Sequence, residues 1–445
     1  MKKITITNEM NTIFETLNRS GYECYMVGGC VRDFLLNRTP QDVDFTTNAT
    51  PEQMKQCFKN FNVIETGIKH GTLTVMVNNI PFEITTYRID GEYLNNRHPE
   101  NVVFVSDIKS DLARRDFTIN AIAYNTEIGF VDCFNGMQDL KNGIIRCVNE
   151  PAKRLQEDAL RILRALRFSA VLGYEIEPET KKSCFKFAYL LKNISAERIV
   201  GELFKIIVQD DAYKIIFDYI DIWGVVIPEL LKMKGFEQHN PHHVYDVLKH
   251  TCVALKGASK ELIIRLAVLF HDIGKPDSFS LDEKGKGHFY GHATKSVDIT
   301  KEIFNRLNID NNTKNQVLML IKYHDLDLQA TEKYIRKLCY KLGDLQMVKK
   351  LVLVQRADNF GQAPLHNERI EKFDKIDKII EELEQKNLSF SLKDLAVNGV
   401  DMINIGLSGK DIGNSLKFLL DAVLNDNVKN FKQDLLNYLK IKNKV

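Results

Sequence analysis

Two glycines and two aspartates near the N-terminus form the most informative pattern in the chain. Gly28-Gly29 is followed by Arg32, and Asp42 and Asp44 come a short loop later. A glycine pair lets the backbone approach a phosphate closely, and amides at a helix start hold its charge. Aspartates at i and i+2 of a strand present both carboxylates on one face, which suits Mg²⁺. The segment therefore predicts metal-assisted nucleotidyl or phosphoryl transfer.

Two charged clusters downstream suit nucleotide recognition. Arg115 can grip a phosphate, and the adjacent Asp116 can accept from a ribose hydroxyl or orient an arginine. In the second cluster, Glu157 and Asp158 precede Arg161 by four and three residues, a spacing that also allows a helix-stabilising ion pair. A carboxylate and an arginine can instead read the amine and ring nitrogen that cytosine and adenine share. Guanine and uracil present the opposite pattern and would be rejected.

Two positions near these motifs have competing interpretations. Glu83 lies on a predicted strand near the aspartates, and it is either a third carboxylate of the metal site or an outward strand residue. Asp132 and Gly136 fall in a predicted turn, where the pair is expected to organise the chain rather than to carry chemistry.

A second set of candidate ligands recurs through the later part of the chain. Its members are His250, His271, Asp272, His292, His324 and Asp358. Adjacent His and Asp after an apolar helix supply one nitrogen and one oxygen ligand to the same ion. The set predicts a centre for a divalent transition metal.

Composition excludes several classes of protein. The 445 residues are 44% hydrophobic and carry a net charge of +2, so RNA binding must rely on local basic patches, such as 141–167 and the C-terminal tail. The eight cysteines are scattered without a C-x-x-C pattern, as is typical of reduced thiols. No stretch approaches 18 apolar residues and the N-terminus lacks a leader, so we expect a cytoplasmic protein without a membrane partner.

Periodicity predicts the elements that must position these residues. Strands are expected at Glu23–Val27, Asp42–Thr46, Thr72–Val77 and Phe82–Tyr87, with helices near 31–37 and 51–59. From Pro151 onward the pattern is helical. The sequence thus predicts an α+β protein, a small mixed α/β head followed by an all-α body. The expected parts are 1–148, 149–225, 235–365 and 366–445.

The longer motifs carry a family resemblance. Gly28-Gly29-x-Val31-Arg32-Asp33 followed by Asp42-x-Asp44 resembles the class II tRNA nucleotidyltransferases (CCA-adding enzymes) and bacterial poly(A) polymerases of the DNA polymerase β superfamily. The resemblance implies a polymerase β-like head in which Asp42 and Asp44 are catalytic and hold Mg²⁺. It further implies that the nucleotide is bound by Gly28, Gly29, Arg32, Arg115, Asp116, Asp158, Arg161 and Arg164.

The same resemblance implies a reaction. Members add C, C and A to tRNA 3′ ends from CTP and ATP without a template, and Asp158 and Arg161 match the positions that select the base. Ala196-Glu197-Arg198 with Glu202 is similar to the motif that braces this helix. The segment 88–99 matches a loop linked to the switch from C to A. The stretches 395–401 and 409–413 resemble the tail that grips tRNA.

The His/Asp set is similar to the HD phosphohydrolase superfamily. That match implies one divalent metal on His250, His271, Asp272 and Asp358, and extra ligands of a two-metal site at His292 and His324. Lys275 could then contact a phosphate. Phosphatase or 2′,3′-cyclic phosphodiesterase activity in such a domain would repair RNA ends before nucleotide addition. A decayed, purely structural HD domain is the alternative.

Other functions remain open at the level of sequence. An A-adding tRNA nucleotidyltransferase or a poly(A) polymerase would share the nucleotide motifs. Two alternatives from different classes are an HD phosphohydrolase with a nucleotide-sensing head and a catalytically inactive RNA-binding module. The intact pair Asp42 and Asp44 argues against both.

Overall fold

The computed structural model describes residues 4–65, 67–91, 93–94, 98–99, 102–239, 244–362, 367–385 and 391–443. The chain forms two compact units, Met1–Asp211 with Asp218–Pro228, and Ala212–Phe217 with Glu229–Val445. None of the helices in the described ranges combines the length and the apolar composition that a membrane span needs.

The first unit combines a mixed sheet with helices. Its strands are β1 (Cys24–Val27), β2 (Asp44–Thr47), β3 (Asn62–Ile64), β4 (Thr72–Val77), β5 (Ile80–Thr86), β6 (Arg88–Asp90), β7 (Tyr93–Leu94), β8 (His98–Pro99), β9 (Val102–Phe104), β10 (Ile122–Asn125), β11 (Gly129–Asp132), β12 (Ile144–Ile145) and β13 (Glu175–Ile176). The helices up to residue 228 are α1 (Asn8–Arg19), α2 (Gly29–Leu35), α3 (Pro51–Cys57), α4 (Ile108–Ala113), α5 (Gly136–Asn142), α6 (Pro151–Glu157), α7 (Leu160–Leu172), α8 (Pro178–Phe187), α9 (Ala196–Ile207), α10 (Ala212–Asp218) and α11 (Ile220–Val226).

Seven strands pair into one sheet in the order β11-β10-β1-β2-β5-β4-β3. The pairing of β2 with β5 is parallel, and the other pairings in this sheet are antiparallel. Asp44 is opposite Val27 on one neighbouring strand and opposite Glu83 on the other. Because paired residues point to the same side of a sheet, Asp44 and Glu83 share a face at this end of the strands.

Aromatic packing covers one face of this sheet. The rings of Phe14 and Phe45 lie 5.2 Å apart edge to face, and Phe45 lies 5.8 Å from Phe82. Strand β4 alternates buried and half-buried residues, as a strand with one face in the core should. The buried face fixes the register, and a one-residue slip would turn Phe45 outward and Asp44 into the core.

The second unit is mainly helical. Its helices beyond residue 228 are α12 (Val247–Gly257), α13 (Leu262–Phe270), α14 (His292–Arg306), α15 (Asn311–Tyr323), α16 (Glu332–Leu342), α17 (Leu345–Gly361), α18 (Asn367–Gln385), α19 (Gly399–Asn404), α20 (Lys410–Leu424) and α21 (Lys432–Asn443), with the short hairpin β14 (Ser280–Leu281) and β15 (Gly287–His288). Helix α13 is buried from Ile264 to Phe270, so its C-terminal end presents the next residues to the interior. Gly399 and Gly409 of the predicted tail segments mark the starts of α19 and α20.

The predicted fold class is confirmed, with one local error. Helix α3 begins at Pro51 behind a capping box of Thr50 and Gln53, as the predicted helix near 51–59 requires. The strand predicted from Asp42 begins only at Asp44, and Asp42 lies exposed in the preceding loop. The expectation that strand pleating aligns these two carboxylates is therefore wrong.

Candidate nucleotide and metal sites

The glycine pair begins directly where β1 ends, beside the start of β2. Gly28 has φ +79° and ψ −135°, a conformation that glycine alone adopts without strain. A Cβ at Gly28 would lie 2.9 Å from an Nη atom of Arg115, whereas one at Gly29 would meet only ordinary contacts with Arg32. The turn thus brings bare backbone, an arginine and Asp44 to one end of the sheet.

Asp44 shares this end of the sheet with other carboxylates. Loss of hydration and the negative charge of Glu83 raise the pKa of Asp44, with a smaller contribution from Asp42, while Arg115 acts in the opposite direction. Glu83 therefore lies close enough to act on Asp44, more strongly than Asp42 does. A group of neighbouring carboxylates fits a bound divalent cation, because the charge of the cation relieves their repulsion.

Arg32 is clamped by three groups from different parts of the first unit. Its Nε and Nη2 donate to Asp33 Oδ1 at 2.9 and 2.8 Å, and its Nη1 donates to Asn120 Oδ1 at 2.7 Å. Its guanidinium carbon lies 5.0 Å from the centre of the Phe168 ring. Arg164 and Arg167 approach the same ring at 5.5 and 4.5 Å. Phe168 of α7 thus collects three cations, a geometry typical of cation–π contacts.

Arg115 is positioned by a buried carboxylate. Asp111 is completely buried, and its oxygens lie 3.3 Å from Arg115 and 2.8 Å from Arg114. Burial alone would raise the pKa of Asp111, but the two guanidiniums outweigh it and hold the pKa below its usual value. The backbone amide of Arg88 donates to the same carboxylate. Asp111 stays ionised and fixes the arginine beside Gly28.

Asp116 is committed to protein partners. Its Oδ1 accepts from the Phe117 amide at 2.8 Å and from Asn120 Nδ2 at 3.0 Å, and its Oδ2 accepts from Arg164 Nε at 2.8 Å. Burial would raise its pKa, yet Arg164 and Asn120 hold the pKa well below the usual range. Of the two predicted roles for Asp116, orienting an arginine matches this geometry.

The cluster around Asp158 is not one continuous helix. Helix α6 ends at Glu157, Asp158 is extended with φ −135° and ψ 102°, and α7 begins at Leu160. Arg198 of α9 holds both carboxylate oxygens of Asp158, with contacts of 3.2 and 2.7 Å. The break turns the Asp158 carboxylate out of the helix, and the bidentate pair then fixes its orientation.

Arg161 is held from the opposite side of the break. Its Nη1 donates to Glu157 Oε2 at 2.9 Å and to the carbonyl of Arg154 at 2.8 Å, and its Nη2 donates to the carbonyl of Arg114 at 3.1 Å. The ion pair with Glu157 that the spacing allows is therefore present. The guanidinium of Arg161 is also fixed against the backbone that leads to Arg115.

The predicted bracing by α9 is confirmed. Besides the Arg198–Asp158 pair, Arg167 of α7 pairs with the buried Glu202 of α9 at 3.3 Å. The predicted basic surface at 141–167 is present only in part. Lys141 and Lys153 are exposed, and Arg146 is partly exposed while it pairs with Asp139 and Glu177 at 3.1 and 3.4 Å. Arg154 and Arg161 are buried and tie the first unit together instead of facing solvent.

Two further predicted segments have different outcomes. Asp132 accepts from the amide of Gly136 at 2.8 Å, and a Cβ at Gly136 would lie 2.1 Å from the carbonyl oxygen of Thr118, so the pair organises this turn. In the loop 88–99, β6 pairs with β9 and β7 with β8. Residues 92 and 95–97 of this loop lie outside the described residues, and its role in the switch from C to A stays a prediction.

In the second unit, four of the predicted ligands converge. The Nε2 atom of His250 lies 3.4 Å from that of His271, 3.0 Å from Asp358 Oδ1 and 3.3 Å from Asp272 Oδ2. Nε2 of His271 lies 3.2 Å from the same Asp272 oxygen. All four ligand atoms fall within 4.8 Å of one another. Helices α12 and α17 and the end of α13 deliver them.

The other oxygen of Asp272 faces the remaining histidines. Asp272 Oδ1 lies 3.5 Å from His292 Nε2 and 3.7 Å from His324 Nε2, and these two nitrogens are 3.1 Å apart. Both oxygens of Asp272 are buried, and Oδ2 also lies 2.7 Å from Nζ of Lys275. Asp272 thus lies between two sets of ligands, as a carboxylate that bridges two metal ions would.

The histidines share one orientation. Nδ1 of each ring faces a backbone carbonyl, that of Gly361 at 3.1 Å for His250, Val268 at 2.7 Å for His271, Phe289 at 3.0 Å for His292 and Ile321 at 2.7 Å for His324. With the proton on Nδ1, Nε2 can act as a metal ligand, and every Nε2 points toward the aspartates. Lone pairs facing carboxylates repel unless a cation lies between them. The donor set therefore fits one or two divalent metals with nitrogen and oxygen ligands.

A cavity of about 370 Å³ opens onto this cluster. Lys275 lines it, with Nζ 2.7 Å from Asp272 Oδ2 and 2.9 Å from Gln238 Oε1. Arg369 lines it from α18. Two cations beside a cluster of metal ligands can receive an anionic substrate.

Three regions of the chain match protein-family models. Residues 24–146 match the poly A polymerase head domain, 173–221 match a probable RNA and SrmB-binding site of polymerase A, and 242–361 match the HD domain. A CCA-adding enzyme of Streptococcus suis is 31% identical over 432 residues, which is 96% of this chain and 95% of the relative. The chain belongs to the family of CCA-adding enzymes.

Other CCA-adding enzymes match part of the chain or its fold. That of Lactobacillus helveticus is 48% identical over 193 residues, which cover 43% of this chain and about half, 48%, of the relative. The crystal structure of the Bacillus stearothermophilus CCA-adding enzyme in complex with CTP has a TM-score of 0.72 and 26% identity. It covers 100% of this chain and 98% of that structure. The likeness thus extends over both units.

Within this CCA-adding family member, sequence reasoning missed several positioning residues. Asp111 and Asn120 hold Arg115 and Arg32, and Phe168 collects three arginines. Asp111 stands three and four residues before the arginines that it holds, so helical spacing could have indicated it. Nothing in the local sequence indicates the partners of Asn120 or Phe168.

Proposed function

We propose that this chain adds C, C and A to the 3′ end of tRNA from CTP and ATP, without a nucleic-acid template. One observation carries the proposal. A single compact unit brings the Gly28 turn and Asp44 together with Asp158 and Arg161, the positions that match phosphate binding and base selection. The name and near full-length match of the Streptococcus suis relative support the same reaction.

The phosphates of the nucleotide would bind at the turn between β1 and α2. The absence of side chains at Gly28 and Gly29 leaves room for a phosphate there. Arg32, held by Asn120, and Arg115, held by Asp111, supply positive charge. Asp42 and Asp44 would hold Mg²⁺, which supplies charge neutralisation at the reacting phosphate and lowers the pKa of the attacking hydroxyl. Glu83 is positioned to join them.

Base selection would rest on Asp158 and Arg161. The Asp158 carboxylate accepts from the exocyclic amine of cytosine or adenine, and Arg161 donates to the neighbouring ring nitrogen. A base that presents a carbonyl oxygen in place of the exocyclic amine cannot donate to the Asp158 carboxylate, and it is rejected. Arg198 acts as a positioning residue for Asp158, and Asp116 positions Arg164, the remaining predicted nucleotide contact.

An end-addition assay tests this proposal and its alternatives. The chain is incubated with tRNA that lacks its 3′ CCA, plus CTP and ATP, and the added residues are counted. Three residues in the order C, C, A support the proposal. A single A would indicate an A-adding enzyme, and a long A tract a poly(A) polymerase. Asp42→Ala should abolish incorporation, and undiminished incorporation would remove Asp42 from the catalytic site.

A second function, hydrolysis of phosphate esters at the HD cluster, is favoured by the buried ligand set. The Nε2 atoms of four histidines lie close to the carboxylates of Asp272 and Asp358, and Lys275 and Arg369 line the adjoining cavity. Bound metal would polarise the phosphate and supply a hydroxide nucleophile. On tRNA this chemistry would remove a blocking phosphate or open a 2′,3′-cyclic phosphate before nucleotides are added.

Metal titration and hydrolysis test the second function together. Added Mn²⁺ or Ni²⁺ should raise the thermal midpoint of the second unit and support hydrolysis of a 2′,3′-cyclic phosphate end. His271→Ala should remove both effects and leave CCA addition intact. A chain that binds metal through these residues yet hydrolyses nothing would carry a structural HD domain.

Organisation and location complete the proposal. The division into a head (1–148), a base-selecting neck (149–225), an HD part (235–365) and a tRNA-binding tail (366–445) assigns one task to each part. A tRNA substrate and eight free cysteines support a cytoplasmic location.

A further inference from the structure

An exposed tyrosine borders the HD cavity. Tyr290 stands two residues before His292 and lines the same cavity as Asp272 and Lys275. It is 79% exposed, the largest exposed fraction among the large apolar and aromatic side chains of the described residues. The CCA-addition chemistry of the first unit gives this residue no task.

One face of the Tyr290 ring is already covered. The ring of His288 stacks on it, with centroids 5.2 Å apart and planes within 5° of parallel. His288 is held by Asp282, whose Oδ2 lies 3.0 Å from its Nε2, across the hairpin of β14 and β15. The pair is thus fixed before any ligand arrives, which lowers the entropy cost of binding.

The cavity has the composition of a nucleotide site. Lys275 and Arg369 supply positive charge, and Gln362 supplies an amide that contacts both Asp358 and Arg369, at 3.2 and 3.3 Å. The volume of about 370 Å³ lies in the range of small-ligand pockets. A phosphate at the metal ligands would leave a ribose and base to extend toward the rim where Tyr290 stands.

We propose that Tyr290, backed by His288, is a stacking platform for a nucleobase, so that the HD site takes nucleotides in preference to phosphate esters without a base. The inference rests on the proposed phosphohydrolase function and specifies its substrate class. Tyr290 would contact the substrate directly, while His288 and Asp282 are positioning residues. Stacking on an aromatic ring tolerates any base, which suits a site that meets different RNA ends.

Two variants of one residue separate stacking from other roles. The full chain is assayed with Mn²⁺ on adenosine 3′-monophosphate and on glycerol phosphate, which has no base. Tyr290→Ala should lower kcat/KM for the nucleotide by about 5- to 150-fold, the range for loss of one base–aromatic stack, and change the glycerol phosphate value less than about twofold. Tyr290→Phe keeps the ring and should behave as the wild type.

Binding without turnover provides a second readout. In saturation-transfer NMR on the full chain with EDTA, the adenine protons of adenosine 3′-monophosphate should receive clearly less saturation from Tyr290→Ala than from the wild type, and the difference reports the contact with Tyr290. An equal loss for both phosphate esters, or no loss for either, overturns the platform and leaves the phosphohydrolase standing. If the wild type hydrolyses neither ester and transfers no saturation, both proposals fall.

Discussion

The ion pair between Arg198 and Asp158 makes the base-selection proposal testable without a substitution at Asp158 or Arg161. Replacing Arg198 with Ala removes two charge-assisted contacts, at 3.2 and 2.7 Å, from a pair whose side chains are only 26% and 15% exposed. Such bonds each contribute about 1.5–3 kcal/mol, and the carboxylate, left with the Leu160 amide at 3.1 Å on Oδ1, would hold its direction less firmly. We therefore expect Arg198→Ala to reduce selection as well as rate.

The expected size follows from the cost of misplacing one recognition group. A displacement of about 1 Å costs about 100-fold, so kcat/KM for CTP should fall roughly 10- to 100-fold, about 1.4–2.7 kcal/mol. The rate with UTP should change little, because Asp158 makes no favourable contact with uracil. The preference for CTP over UTP then contracts by the same factor. Arg198→Lys keeps the charge but loses the fork, and its effect should be intermediate.

A matched control separates positioning from bracing. Arg167→Ala breaks the ion pair between Arg167 of α7 and Glu202 of α9 and does not touch Asp158. It should lower the thermal midpoint at least as much as Arg198→Ala does, yet retain the CTP preference. The assay is single-nucleotide addition to tRNA that lacks CCA, with each nucleotide supplied separately. If Arg198→Ala retains full discrimination, or Arg167→Ala loses as much, the reasoning is refuted.

The remaining predictions concern the glycine turn and the buried pair of Asp116. Gly28→Ala should raise KM for CTP and ATP at least tenfold, because the new Cβ would lie 2.9 Å from Arg115 and the backbone conformation is strained for alanine. Gly29→Ala should be tolerated, since its Cβ would make only ordinary contacts. Equal effects of the two substitutions in nucleotide-binding titrations would contradict this. Since the pKa of Asp116 is lowered in the folded state, its pairing with Arg164 stabilises the protein above the unfolded pKa of about 3.9, and this stabilisation is lost as the pH falls toward the lower folded value. Urea unfolding between pH 7 and pH 3 should therefore show a steeper acid loss for the wild type than for Asp116→Asn, and parallel curves would contradict the assignment.

The motifs predicted from sequence were those in which short spacing determines the geometry. Gly28 and Gly29 lie at the predicted helix start, where the positive φ of Gly28 selects glycine, and His271-Asp272 follows the predicted apolar helix. Asp42 was misplaced because a strand boundary depends on pairing with neighbours, which the i and i+2 spacing does not contain.

Long-range partners account for most of what the sequence did not reveal. Arg198 reaches Asp158 across 40 residues, and Asn120 reaches Arg32 across 88. The break at Asp158 also contradicts the helical periodicity of its neighbours, and the Asp158 carboxylate accepts from the Leu160 amide at the start of α7 while it pairs with Arg198. Sequence spacing cannot indicate that Arg154 and Arg161 turn inward, because a basic segment has the same pattern whether its side chains are buried or exposed.

The carbonyl contacts of the HD histidines have a consequence for how this centre can change over evolutionary time. The groups that orient the four rings belong to the main chain, so no side-chain substitution at Val268, Phe289 or Ile321 deletes them, and only at Gly361 would a new Cβ, 3.0 Å from the His250 ring, press on a ligand. In centres whose histidines rely on neighbouring carboxylates, single mutations at those neighbours weaken the metal gradually. Here main-chain carbonyls orient the histidines, so mutation of neighbouring carboxylates cannot weaken metal binding step by step. A descendant of this chain would lose the metal abruptly, by replacing a ligand itself or by shifting the helix that carries it.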